Sequence, residues 1–312
     1  MNTLREAAQE YLAMRRSLGF KLRESGKRLS DFVSFMERRR ASYITHQLAL
    51  IWAQQLSNVQ PCQWAQRLSI VRGFARHRSA SDPRTQIPPE GLLPFRPKRA
   101  QPYLYTDDEI RRLLQAALRL PCNSGGLRPW TYYCLFGLLS VSGMRLGEVR
   151  NLELQDVDLN AAVLTIRGAK FGKSRLVPLH PSTRDVLADY ITRRNRIWGP
   201  RPASSYLFLS SRGNHLDFGE IHRTFYSISR QVGLRRLSDS HGPRLHDMRH
   251  RFAVNTLLHW YRAGDDAERR LPILSAYLGH VHVNDTFWYL SAWPELMREA
   301  MSRLERRWEK RP

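Results

Sequence analysis

Six prolines between residues 79 and 102 divide this chain. Pro83, Pro88, Pro89, Pro94, Pro97 and Pro102 fall where no helical or strand pattern survives. Proline lacks a backbone N–H and fixes its φ, so neither a helix interior nor a central strand passes through such a run. A chain of 312 residues is long enough for two cores. The break therefore predicts a first domain over residues 1–98, a proline-stiffened linker over about 79–102 and a second domain over 103–312.

The first domain reads as all helical. Leu4, Ala8, Tyr11 and Leu12 begin an amphipathic pattern that stops at Gly19. A second pattern uses Leu29, Phe32, Val33 and Met36. Thr45 can cap a third helix carrying Leu48, Leu50, Ile51 and Trp52, and Pro61 can open a fourth with Trp64, Leu68, Ile70, Val71 and Phe74. The second domain opens on a capping box, Thr106-Asp107-Asp108-Glu109, followed by the apolar positions Ile110, Leu113, Leu114 and Leu118. An apolar helix is expected over Pro129–Ser140 and ends at Gly143. Strands are expected at Val163–Ile166, Arg175–Leu179 and Tyr206–Leu209, and helices near Asp217–Val232, His246–Trp260 and Pro272–Leu278. The fold class is thus mainly α with a small antiparallel β-sheet, a helical domain ahead of an α+β domain.

Charge narrows the partner. Lys and Arg number 50 against 28 Asp and Glu, a formal net charge of +22 spread along the whole length. Such an excess points to a polyanion, most often nucleic acid. Basic helix faces are commonly only solvated faces. Four of them, ahead of a linker bearing Lys98 and Arg99 and a basic second domain, read better as a DNA clamp. Cys62, Cys122 and Cys134 have no short spacing and build neither a disulfide framework nor a zinc motif. Charges at Arg5 and Glu6 precede any apolar run, and the longest such run, near Tyr132–Val141, is too short to span a bilayer. The expectation is a reduced, cytoplasmic protein with no membrane partner.

The chemistry gathers in a few short motifs. Gly143-Met144-Arg145-Leu146-Gly147-Glu148 sets Arg145 and Glu148 three apart, one helix face. A cation-rich hairpin tip then leads through Lys173-Ser174-Arg175 into Val177-Pro178-Leu179. His246 and Arg249 are again three apart. Leu278-Gly279-His280 follows, with Tyr289 nine residues on, and Asn284 and Asp285 can start the helix that carries it. In this order and at these spacings, residues 103 to about 295 resemble the tyrosine recombinase (phage integrase, Xer-like) family.

The resemblance implies roles. Tyr289 would be the nucleophile that forms a 3′-phosphotyrosine bond. Arg145 and Arg249 would hold the non-bridging phosphate oxygens. Lys173 would protonate the departing oxygen, with Lys170 its competitor on the same tip. His246 would contact the phosphate and serve as a general base, His280 would be the second histidine, and Glu148 would buttress the site. It also implies a core-binding (SAM-like) first domain that clamps DNA, action as a homodimer or homotetramer on double-stranded DNA, with related recombinases as further partners, and a Holliday junction intermediate. The Leu271-Pro272 form before His280 is similar to that of recombinases carried by transposons, a resemblance that implies a mobile element.

Elementary chemistry agrees. A phenol of ordinary pKa about 10 is a poor nucleophile unless cations and a base assist it. Phosphoryl transfer gains most from positioning and charge stabilisation, and arginine forks bidentately onto phosphate. With such cations no metal or cofactor is expected. No GxxxxGK[ST] loop is present, so ATP is not expected either. His250 and His282 are left outside the site. Two other readings stay open: a catalytically weak accessory DNA-binding subunit of a multi-recombinase set, and a type IB topoisomerase.

Overall fold

The computed structural model describes residues 2–95, 101–122, 126–167, 174–199, 204–239, 242–280, 282 and 284–309. The chain forms two compact units, Met1–Ala100 and Gln101–Pro312.

The first unit holds four helices, α1 (Leu4–Ser17), α2 (Arg23–Arg38), α3 (His46–Gln54) and α4 (Pro61–Arg78). Local chemistry sets where they begin. Thr3 and Glu6 close a reciprocal capping box on α1, Thr45 Oγ1 accepts from Leu48 N at 3.2 Å, and Pro61 occupies the first turn of α4. The helices bury Phe32, Trp52 and Phe74, and the Arg67 guanidinium lies 3.8 Å over the Trp52 ring. The proline-rich stretch after α4 is expected to be linker, yet its first half is strapped onto this unit. Gln86 N donates to Ile44 O at 2.8 Å, and Arg72 donates to the carbonyls of Pro88 and Pro89 at 2.7 and 2.8 Å. A proline pair offers only acceptors, and one guanidinium takes both.

The second unit begins with α5 (Asp107–Leu118), opened by the Thr106–Glu109 box, then α6 (Arg128–Ser142) and the short α7 (Leu146–Arg150). An antiparallel sheet follows in the order β1 (Val157–Asp158), β2 (Val163–Ile166), β3 (Arg175–Pro178), with Val163 facing Pro178 and Ile166 facing Arg175. Next come α8 (Pro181–Trp198), α9 (Phe218–Gln231), α10 (Leu245–Arg262), α11 (Ala267–Leu278), α12 (Asn284–Ala292) and α13 (Pro294–Glu309). The molecule is mainly helical with one small antiparallel sheet.

Two local readings change, and one helix is added. The third strand of the sheet is Val157–Asp158, not Tyr206–Leu209. Around the latter stretch, the buried Arg194 donates to the carbonyls of Ser204, Tyr206 and Leu207 at 3.0, 2.7 and 3.1 Å. Those acceptors are spent on a side chain, and only single bridges to Glu153 and His215 remain. The added helix is α8: Pro181 opens it, His180 caps it and it buries Leu187, Tyr190 and Arg194. Helix α11 starts at Ala267, five residues before Pro272, because Asp266 Oδ1 caps Arg269 N at 3.2 Å.

Two apolar clusters fill this unit. One joins α5, α6, α8, α9 and the sheet through Leu113, Phe136, Val177 and Phe225; the other joins α10, α11 and Tyr289 through Leu257, Leu271 and Leu278. Helix α10 belongs to both: Leu245 and Met248 lie in the first and Ala253 to Tyr261 in the second. His246, Arg249 and His250 therefore sit where the two cores meet. The segment before α5 fixes this end of α10, because Arg251 Nε donates to Tyr105 O at 2.8 Å and Tyr105 Oη donates to Arg244 O at 3.0 Å.

Candidate active site

Two helix ends create the site. Helix α6 stops at Gly143 and α11 at Gly279, both left-handed, with φ of 60° and 66°. That conformation favours glycine; at the end of α11 it lets Gly279 N and His280 N bond Ala276 O and Ser275 O, and the carbonyls beyond them stand open at the negative end of the dipole. Arginines fill those places. Arg249 is 2% exposed; its Nη1 donates to Gly143 O at 2.8 Å and its Nη2 to Leu278 O at 2.7 Å. Arg145 Nη2 donates to Gly279 O at 2.9 Å. A Cβ would collide with the Phe252 ring at 2.5 Å at Gly143, whereas at Gly279 it would press on the end of a flexible side chain, Arg175 Nη1 at 3.0 Å.

Glu148 ties the arginines together. Its carboxylate accepts from Arg145 N and Nη1, each at 2.9 Å. It also accepts a fork from Arg175, at 3.0 and 2.7 Å. Burial alone would raise its pKa, but the hydrogen bonds from Arg175 and from the Arg145 backbone prevail and hold it at about 2. Burial and then the charge of Arg145 bring the Arg249 guanidinium down to about 10, so it stays a cation at neutral pH. The site thus concentrates positive charge against helix carbonyls and one carboxylate.

Tyr289 and three histidines gather beside these cations. Tyr289 is 3% exposed, and its hydroxyl lies 3.2 Å from His250 Nδ1. The His280 ring lies nearly parallel to the phenol, centroids 6.3 Å apart, and its Nδ1 is 2.7 Å from Thr286 Oγ1. His246 and His250 meet edge to face at 4.7 Å. Burial first, and then Arg249 for His280 and His246 for His250, lower both rings to about 4. His246 is exposed on its outer side; the packed floor beneath it, and then Arg249, also lower it. At neutral pH these rings are uncharged and offer acceptors as well as donors.

The structure brings Arg145, Glu148, His246, Arg249, His280 and Tyr289 into one region. Lys173 and Lys170 lie outside the described residues. His250, left outside the site on sequence grounds, lies within it: it is one turn beyond His246 on α10, so the two share a face. Exposed His282 has no such place. Arg175 is the other residue not anticipated. Strand alternation was its signal, for Arg175 shares the inward face of β3 with the fully buried Val177. Among the described residues no group of three or more His, Cys, Asp or Glu side chains is arranged to hold a metal ion. No helix among them is long and apolar enough to cross a membrane.

Comparison with known proteins supplies independent context. Residues 104–295 match the model of the phage integrase family. The chain is 66% identical over 313 aligned residues, covering 100% of both proteins, to "Putative integrase/recombinase y4rB" of Sinorhizobium fredii (strain NBRC 101917 / NGR234). It is 33% identical to "Putative integrase/recombinase y4rE" of the same organism, covering 96% of this chain and 95% of that one. Among solved structures, the XerH site-specific recombinase bound to palindromic difH substrate in a post-cleavage complex aligns with a TM-score of 0.64 and 18% identity, over 89% of this chain and 78% of that one. At that identity the likeness speaks for the fold.

Proposed function

The chain belongs to the phage integrase family of tyrosine recombinases, and on that premise we propose that it is a site-specific DNA recombinase of a mobile element, cutting and rejoining duplexes through a 3′-phosphotyrosine intermediate. One observation carries the reading. The three consecutive residues Leu278-Gly279-His280 collect the site: Leu278 O takes Arg249, Gly279 O takes Arg145, and His280 packs toward Tyr289. A phosphodiester entering between the arginines would replace helix carbonyls as their acceptor.

The reaction conserves bonds. The Tyr289 hydroxyl loses its proton and its oxygen attacks phosphorus, forming O–P as the bond to the 5′-oxygen breaks. The departing oxygen takes a proton, for which Lys173 is the proposed donor and Lys170 the alternative. Arg145 and Arg249 neutralise the non-bridging oxygens, where arginine's fork suits the geometry. Exposed His246 would hydrogen-bond the phosphate, and Glu148, bonded to both, would keep Arg145 and Arg175 in one orientation. Attack by the 5′-hydroxyl of a second duplex reverses the step and builds a Holliday junction. The bond energy is kept in the phosphotyrosine, so the proposal needs neither ATP nor a metal. The first unit is proposed to bind the flanking duplex, and the acting form to be a homodimer or homotetramer on DNA.

Covalent trapping tests this. The protein is offered nicked duplexes tiling the DNA that flanks its own gene, and denaturant-resistant protein–DNA adducts are sought. Wild type should give an adduct and Tyr289→Phe none. An adduct that persists in the variant removes Tyr289 as nucleophile, and tight DNA binding without any adduct favours an accessory subunit.

A further inference from the structure

We infer that His250, rather than His246, is the group that receives the Tyr289 proton during strand cleavage. The inference rests on the reading of Tyr289 as nucleophile and adds the identity of its base.

Geometry carries it. The His250 Nδ1 atom lies 3.2 Å from the Tyr289 hydroxyl, within hydrogen-bond reach for proton transfer. The two side chains come from different helices, α10 and α12, so the contact is set by tertiary packing rather than by chain adjacency. Tyr289 is 3% exposed, which leaves little bulk water to carry the proton away. His246 faces solvent, the place for a substrate contact, whereas His250 is half-buried between His246 and the ring pair Trp288 and Tyr289. The charged and titratable groups facing His250 are Arg244, His246, Asp247 and Arg249 from α10 and its cap, and Tyr289 from α12. His280, at the end of α11, lies against the phenol ring. In this setting the imidazole is neutral at pH 7, so Nδ1 can offer its lone pair to the phenol.

The step balances. The Tyr289 O–H bond breaks and an Nδ1–H bond forms. The freed electron pair makes the O–P bond as the P–O5′ bond breaks, and the leaving oxygen is protonated separately. The incoming phosphodiester is an anion, and its charge stabilises the imidazolium that results. Rejoining returns the proton to the phenolic oxygen as the phosphotyrosine bond breaks.

The test measures the rate of adduct formation on a nicked duplex that gives an adduct with wild type in the trapping experiment, from pH 7 to 9, for wild type, His250→Ala, His250→Asn and Tyr289→Phe. Loss of a general base lowers the rate about 10²-fold or more at pH 7. Without a base, cleavage depends on the small fraction of ionised phenol, so the His250→Ala deficit shrinks about tenfold per pH unit. His250→Asn keeps an amide near the Nδ1 position but no basic nitrogen, and should share that pH profile. A deficit constant across the range assigns His250 a structural part only and overturns the proposal. So does a wild-type rate in either variant, or full recovery in His250→Asn alone. An adduct in Tyr289→Phe overturns the reading of the nucleophile as well, which separates the two failures.

Discussion

Two buried arginines in the second unit are held in the same way, and only one of them, Arg249, lies in the proposed active site. Arg194 and Arg249 are 0% and 2% exposed, and each donates to backbone carbonyls rather than to a carboxylate. Burial lowers the pKa of Arg194, and Tyr190 opposes that lowering. Arg249 has Arg145 pressing on it as a like charge, with Arg175 also contributing. A buried cation cradled by carbonyls is therefore not by itself a site. What marks the site is crowding of cations beyond what the local acceptors neutralise, a place where an added anion lowers the energy.

The largest expected effect separates these two residues directly. Arg194→Met takes the guanidinium donor from the carbonyls of Ser204 and Tyr206, leaves Leu207 O only the Tyr190 hydroxyl, and should destabilise the fold by about 4 kcal/mol. Cleavage per folded molecule should be unchanged. Arg249→Lys should lower cleavage by about 10²–10³-fold, because lysine cannot fork onto phosphate, with a smaller loss of stability. Urea unfolding and adduct-formation rates, measured on both variants, check the contrast. Equal rate losses would erase it.

Glu148 sharpens the comparison through pH. Its folded-state pKa of about 2 is below the ordinary value, so its stabilisation is complete above about pH 5 and lost as pH falls toward 2. The shift corresponds to about 3 kcal/mol. Glu148→Gln should lack that part of the acid dependence of stability, read from urea midpoints between pH 3 and 7. It should also slow cleavage by releasing Arg145.

Smaller effects divide the two glycines. Gly143→Ala forces its Cβ into the Phe252 ring and should act on stability, by about 2 kcal/mol. Gly279→Ala meets the movable ends of Arg175 and Arg145 instead, so stability should fall by about 1 kcal/mol while cleavage falls further. Thermal melts beside adduct rates distinguish them. The smallest effect lies in the first unit: Thr45→Ala removes the α3 cap and should lower stability by about 1 kcal/mol without touching the cleavage rate at saturating protein.

Much of this molecule was legible in its sequence for one reason: its signals are local. Thr3, Thr45, Thr106 and Asp217 cap helices through bonds to residues three positions on, and Pro61, Gly143 and Gly279 mark ends through their own backbone preferences. Motif order likewise brought the integrase family into view. Other features follow from pairs far apart in the chain. Arg194 claims the carbonyls that would have made Tyr206–Leu209 a strand, and Arg72 straps down the Pro88-Pro89 pair. Arg145 meets Gly279 across 134 positions, Arg249 meets Gly143 across 106, and His250 meets Tyr289 across 39. The sequence by itself determined where helices start and stop and which side chains are chemically able to act on phosphate. Only the tertiary structure decided which acceptors those side chains meet, because a carbonyl left open at a helix end has no partner until packing brings one.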